Sequence, residues 1–529
     1  GSNGSAKGVS ISLIGGKVSK AEAYANATAE AYLHRATTDL SGALVVETLA
    51  STVARSKILN TNAASLFNVS LVETTADAGG SFASWIDTTG GSVKAQNVSV
   101  RTNYSADAEA KVSAAGSSVT LVSGDVNDAQ TRTSVNASSA ARGSGSLTAR
   151  TLTVRTTGAL QSVALAETVK LSVSALKVAY NHAKASTDAT QSASIATAGV
   201  MTVTGMISVE SVVTSSMAKA EVGGSATSTS ISLVAGGSNF AESHAKVGNT
   251  AFITGGPAGV LNAGNVNVLS KVGNSASEAT ARDTLTAAVA TMGNLKAVAC
   301  TRETISAHVT GIKIVSPGNV TIQAIGDTKA LATGYAPGKL SAVDVSKSDI
   351  EAYVGSSLAA QKVTASLGNG AVLEIGGDLT VYAKNLGNAK AQLMQKNKYS
   401  LVDSVKYRIP TSSRYDTAAR IGNNVNVVAE NISVKTEDST VADSEIRSSK
   451  VTLVMNVDTM YGTNTIAASN SVTVGRNANL FAHNDLTIRA ESKADMTAIT
   501  WADSNGGFIG DDELKAYNTL TRTRSEEHI

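Results

Sequence analysis

Apolar and polar positions alternate with a period of two over long stretches of the chain, and one short motif recurs: an aliphatic residue, usually Thr, Ser or Asn, then another aliphatic. It reads Leu44-Val45-Val46, Val98-Ser99-Val100, Leu152-Thr153-Val154, Ile207-Ser208-Val209 and Val266-Asn267-Val268. It continues as Val320-Thr321-Ile322, Leu379-Thr380-Val381, Ile432-Ser433-Val434 and Leu486-Thr487-Ile488. Successive copies start 54, 54, 55, 59, 54, 59, 53 and 54 residues apart. In six of the nine the preceding residue is Asn or Asp (Asn97, Asn265, Asn319, Asp378, Asn431, Asp485). These side chains bond nearby backbone and mark turns. Gly264, Gly318 and Gly377 sharpen the turn before three of them.

A second β-like stretch follows in each repeat, as in Val119-Thr120-Leu121-Val122, Leu171-Ser172-Val173, Leu340-Ser341-Ala342-Val343, Leu401-Val402 and Val451-Thr452-Leu453-Val454. Several repeats then carry an extended segment ending in glycine, such as Glu351 to Gly355 and Ala419 to Gly422. The unit reads strand, turn, strand, turn, strand. Ala-rich runs such as Ala21 to Ala29 have high helix propensity. Their alternation has the strand period, and Ser, Thr and Val surround them, so strands are expected.

One such unit cannot bury both of its faces. Stacking equivalent strands about 4.8 Å apart pairs the backbone groups and builds a continuous core. The expectation is an all-β, elongated parallel β-solenoid (β-helix) of about nine repeats of roughly 54 residues. Two or three coils per repeat would make a rod roughly 90–130 Å long. Ala, Ser and Thr would line narrow parts of the core, Val, Ile and Leu the wider parts, and rows of Asn, Ser and Thr would bond along the axis. Residues 1–510 form the array, and 511–529 a charged end segment, frayed or part of an incomplete repeat. The chain starts 43 residues before Leu44 and stops 43 after Leu486, so a fragment of a longer array is expected, with further repeats of the same parent chain as its neighbours.

Composition agrees with one small cross-section built many times. Ala, Ser, Thr and Val make up about half of the 529 residues, and aromatics only 4%. A disordered chain would carry fewer large aliphatics and more net charge than +2, and an ordinary enzyme domain more aromatics. Lys plus Arg (44) balance Asp plus Glu (42), leaving no basic field for nucleic acid or anionic lipid. Cys300 alone excludes an intramolecular disulfide framework. No apolar run is long enough for a membrane span, and Gly1 to Ser5 carry no signal-peptide features.

The order turn-Gly/Asn-Asp, Leu-Thr-Val, Ala-x-Ala alternation, Val-Ser-x-x-Val, then x-Ala-Tyr-Val-Gly is clearest from Asp349 to Val381. It resembles the repeat regions of very large secreted filamentous adhesins and haemagglutinins, nearest to the leukotoxin-type filamentous adhesins of anaerobic Gram-negative bacteria. That resemblance implies export through an outer-membrane partner, a location outside or on the bacterial cell, and attachment to a protein or glycan on host or neighbouring cells.

The residues point to little chemistry. His34, His182, His244, His308, His483 and His528 show no metal-ligand spacing, and no phosphate loop or nucleophile elbow is present. Cys300 reads as a small buried apolar residue. The Gly255-Gly256 and Gly376-Gly377 pairs read as solenoid turns. Asp125 to Asp128 and Gly510 to Glu513 read as acidic loops without the calcium-loop ligand order, so neither metal nor cofactor is expected. The two spacings of 59 imply modest insertions, with Tyr335-Ala336-Pro337-Gly338 a candidate tip. The densest basic and aromatic cluster is Lys396, Lys398, Tyr399, Lys406, Tyr407, Arg408, Arg414 and Tyr415, either a partner-contact patch or a solvated strand face with a loop at Pro410. The expected function is a non-catalytic structural and adhesive segment of a secreted surface fibre. Its rivals are a carbohydrate-active solenoid (polysaccharide lyase or hydrolase) and the stalk of a leukotoxin-type toxin.

Overall fold

The alternation of β-branched and small residues does what its period dictates. In the computed structural model, which describes all residues except 1, 7–11, 62–64, 116, 168–170, 224–228, 257, 356–358, 506–508 and 527–529, the described residues form strands and turns and no helix. The Ala-rich run from Ala21 to Ala29 lies inside the strand Ser12–His34. The nine aliphatic motifs form one column: Leu44, Val98, Leu152, Ile207, Val266, Val320, Leu379, Ile432 and Leu486 are register partners in sequence, all parallel. The chain is a parallel β-solenoid.

One repeat is one coil, not two or three. Alternation runs through positions expected to turn, so single strands run to 23 residues (Ser65–Asp87) and 27 residues (Ser117–Gly143), and to 43 where one strand continues from the first long side into the second (Leu379–Ile421). Nine coils about 4.8 Å apart rise only about 40 Å, whereas a 27-residue strand spans about 90 Å. The expected rod is therefore a slab, wider across its coils than along its axis.

Each coil has three sides. The first long sheet starts at the aliphatic motif, and the second long sheet returns antiparallel to it across the core. A short sheet then closes the wide end. Its column Val93, Leu147, Met201, Leu261, Ile314, Leu373 and Val427 is buried throughout and wedges the long sheets apart. Together with Val154, Ile207, Ile253 and Val381 it makes a large aliphatic core. Farther along, the long sheets pack directly on each other and only small side chains fit. Ala108, Ala110, Ala164, Ala183, Ala220 and Ala241 form that second core.

Between the two cores the sheets are stitched by hydroxyls. Thr48, Thr102 and Thr156 of the first sheet donate to the carbonyls of Ala83, Ser138 and Ser192 in the second, at 2.7, 2.7 and 2.6 Å. Ser84 and Ser139 donate back to Arg101 and Arg155 of the next coil, at 2.6 and 2.8 Å. These five hydroxyls are thereby satisfied, and adjacent coils are tied across the core.

The turns carry the expected axial rows. The Oδ1 of Asn265 accepts from the backbone N–H of Asn319, and that of Asn319 from Asp378, both at 2.9 Å. Gly318 is required here because a Cβ would overlap Asn265 Oδ1 of the coil below. A second row joins Asn369, Asn423 and Arg476 at the opposite corner of the short sheet.

Insertions sit elsewhere than expected. The register offset jumps from 53 between Thr301 and Val354 to 58 between Thr304 and Lys362, so the extra residues of that coil enter around Gly355 and not at Tyr335 to Gly338. In the other long repeat, from Ile207 to Val266, the excess is spread out: the offset to the preceding coil rises from 55 at Val213 to 56 at Ser215, 58 at Thr229 and 60 at Val260. Residues 511–526 belong to the strand Ile509–Glu526, in register with Met455 to Val472, so they continue the second sheet.

One coil per repeat makes whole coils removable. Excising Val98 to Thr151 should leave the far-ultraviolet β signal per residue unchanged, whereas excising Val98 to Gly124 should weaken it and lower the thermal midpoint. Equal tolerance of both deletions would contradict the one-coil unit.

Candidate functional site

At the start of the second long sheet the usual pattern is reversed: polar side chains point inward. There, successive coils contribute Lys339 and Asp344, Lys398 and Asp403, then Lys450 with Asn456 and Asp458, all buried. They form an axial ladder of alternating charge. Lys339 Nζ lies 2.9 Å from Asp283 and 4.0 Å from Asp344. Lys398 bridges Asp344 and Asp403. Lys450 lies 3.2 Å from Asp403, donates to Asn456 Oδ1 at 2.5 Å and also pairs with Asp458. Burial works against the Lys339 ammonium, yet Asp283 and Asp344 outweigh it and hold its pKa above the ordinary value. Burial likewise opposes ionisation of Asp344, but Lys339 and Lys398 hold it below the carboxylate range. At the last rung described, burial prevails and raises Asp458.

The ladder opens onto a cavity of about 50 Å³, lined by Asp125, Asn127, Lys177, Asp283 and Lys339 among others. Little side chain fills it: Ala235 stands where the neighbouring coils carry Lys177 and Thr291, and Gly237 stacks between Ala179 and Gly293. Burial raises Asp125 and lowers Lys177 despite their mutual attraction. Asn127, Asn181 and Asn239 stack beside it, each amide donating to the next at 2.8 and 2.7 Å. The sequence signal for the ladder was a Lys followed five positions later by Asp in consecutive repeats (Lys339/Asp344, Lys398/Asp403). Composition alone hides it.

The basic and aromatic cluster does not form one surface. Lys398, Tyr407 and Tyr415 point into the core, while Lys396, Tyr399, Lys406 and Arg408 are exposed and Arg414 half-buried. Lys398 is a ladder residue. Arg408 pairs across coils with Glu351 at 3.4 Å. Pro410 starts no loop: it lies within the strand Leu379–Ile421, opposite Thr463. The two acidic segments are strand too. Asp125 and Asn127 face inward, and Asp512 accepts from Asn456 Nδ2 at 2.8 Å.

The histidines scatter. His182 lies 3.0 Å from Asp128 and stacks on Phe240, and His308 stacks on Phe252. His34 sits edge-on to Trp85, and His483 to Phe481. His528 lies outside the described residues. His244 has more context: it is 2.6 Å from Glu242 and is the register partner of Cys300 in the next coil. Burial opposes its protonation, but Cys300 and Glu242 raise it to about 9, and the His244 bond lowers Glu242 to about 2. This outward-facing set can store a charged pair beside a half-buried thiol. Among the described residues, no three His, Cys, Asp or Glu side chains converge as metal ligands.

Glu303 is wholly buried, and neither carboxylate oxygen has a hydrogen-bond partner among the described residues. Burial, opposed by the nearby Ser275 hydroxyl and reinforced by Asp327, pushes its pKa up to about 8. Comparison with known proteins returned no match to any family model, curated protein or solved structure.

Two outcomes follow from these charges. The folded Glu303 holds its proton up to about pH 8 while the unfolded chain releases it near 4.5, so stability should fall by about 1.4 kcal/mol per pH unit across that window. Urea midpoints of Glu303→Gln and the parent should therefore agree near pH 4 and diverge in the variant's favour toward pH 8. In the ladder, Lys398→Met leaves Asp344 with Lys339 alone and Asp403 with Lys450 alone, an excess of buried negative charge that should cost about 3–5 kcal/mol. The triple change Asp344→Asn, Lys398→Met, Asp403→Asn should recover most of that loss in the same assay.

Proposed function

We propose that this chain is a non-catalytic structural and adhesive segment of a secreted bacterial surface fibre, attaching to protein or glycan on host or neighbouring cells. The observation that carries the reading is that nine repeats are spent on one cross-section, stacked in register. Such an array presents flat outer faces of repeated side chains, suited to multivalent contact with a surface. Its charged residues outside the core pair with one another across coils, as in Lys246 with Asp188 and Lys111 with Glu167, at 3.1 and 2.8 Å. The resemblance to filamentous adhesin repeats points the same way. No helix among the described residues is long and apolar enough to cross a membrane.

The test pairs adhesion with turnover. Beads coated with the chain should adhere to epithelial or bacterial cells several-fold above beads coated with an unrelated protein. Incubation with a polysaccharide panel should release neither reducing ends nor unsaturated uronates. Release of either product would overturn the non-catalytic reading in favour of a carbohydrate-active solenoid, and adhesion equal to the control would remove the adhesive one.

A further inference from the structure

The same strand segment that points its charges inward points its aliphatics outward. From Lys339 to Lys347 the side chains alternate: Lys339, Ser341, Asp344 and Ser346 are buried, whereas Leu340, Val343 and Val345 are 62, 41 and 48% exposed. Every neighbouring coil repeats the inversion. The outer columns hold Val119 and Leu121, then Val173, Leu176 and Val178, then Ile231 and Leu233, then Val289 and Met292, then Tyr399 and Leu401, then Leu453 and Val457, all exposed. The stripe begins at Phe67 and Val69 and runs to Ile509.

Its size excludes ordinary surface scatter. Nine rungs, separated by eight steps of about 4.8 Å, make it about 40 Å long, and six residues of strand make it about 20 Å wide. That is on the order of 800 Å² of one face, above the largest apolar patch of a typical monomer. Two such stripes in contact would bury on the order of 1,600 Å², the area of a standard stable interface.

We infer that this stripe is a homotypic interface through which two copies of the chain pair side by side. Three features favour a second copy over a lipid surface. The stripe is rigid and repeats at the strand spacing along its whole length, so its natural complement is a surface with the same axial repeat. Its flank carries paired charges of both signs, Lys347 with Asp349 at 2.8 Å and Arg408 with Glu351 at 3.4 Å, and not a basic rim suited to anionic headgroups. Its middle is self-complementary: Met292, the most prominent of these side chains at 64% exposed, is the register partner of Gly236, where the strand has no side chain. A two-fold axis between these adjacent coils sets Met292 of each copy over the Gly236 hollow of the other, the isologous arrangement of a closed dimer.

The inference does not rest on the adhesive reading. Sedimentation equilibrium of the full chain from 1 to 100 µM should show a dimer. The double variant Val289→Asp, Leu340→Asp should be monomeric throughout with an unchanged far-ultraviolet spectrum. Gly236→Leu, which fills the hollow without adding charge, should raise the dimer dissociation constant at least tenfold. Leu49→Asp, an equally exposed leucine on the other long sheet, should leave it unchanged. A monomeric parent at 100 µM overturns the inference, as does a dimer that survives the aspartates. Co-sedimentation of monomers with phosphatidylcholine vesicles also overturns it, and assigns the stripe to a membrane instead.

Discussion

Everything in this molecule depends on one geometric constraint: consecutive coils must have nearly the same contour length, because the backbone N–H and C=O groups of the long sheets pair with those of the coil above or below. Parallel ladders tolerate no drift. A residue gained on one side of a coil moves all following side chains to the opposite face unless a bulge or turn absorbs it. The chain meets this constraint at spacings of 53 to 59, and the departures are absorbed at irregularities near Val203, Val213 and Gly355. The composition follows from the same cause. A side chain in a column touches its own equivalents, so residues that stack well on copies of themselves recur: Ala in the narrow core, Val, Leu and Ile in the wide core, Asn at corners.

Within that lattice the interior is graded. The short sheet props the wide end open and lets large aliphatics in. The hydroxyl seam marks where the long sheets begin to pack directly, and its bonds serve both coils and both sheets at once. Beyond the Ala columns the interior turns polar, and there the solenoid substitutes ion pairs for hydrocarbon. A single unpaired ammonium at Lys398 would be prohibitive so deep in the protein. Flanked by Asp344 and Asp403 it becomes one rung in a chain of compensation that no individual coil could provide. The coil carrying Gly236 and Gly237 interrupts the pattern and leaves the cavity that separates Lys177 and Asp125 from the rest.

Much of this was legible from the residues alone. The nine aliphatic motifs, found by spacing, are the nine members of one structural column, and the Asn residues before them form the axial rows. Two things were not. The number of coils per repeat depends on whether the chain turns within a unit, and period-two alternation is the same for one strand of 27 residues as for several short ones. The reversed edge escaped for a related reason. Lys339, Leu340, Asp344 and Val345 alternate like any other strand, and alternation fixes that two faces differ without saying which faces in. Lys398, Tyr407 and Tyr415 stand in sequence among exposed and half-buried neighbours, and residue type alone marks a lysine as external and leaves a tyrosine undecided. Only the register, which sets Lys398 between Asp344 and Asp403, places it in the core.

The slab proportions bear on mechanics. A coil of about 54 residues adds only about 4.8 Å of height, so the array is an extravagant way to gain reach and an effective way to gain stiffness. Tension applied evenly across the cross-section would load the forty or so backbone hydrogen bonds between two coils together, roughly one per strand residue. Tension delivered through the polypeptide ends would instead peel an outer coil bond by bond. The molecule is therefore strong as a block and weak as a thread, and how it is gripped determines which of the two it is.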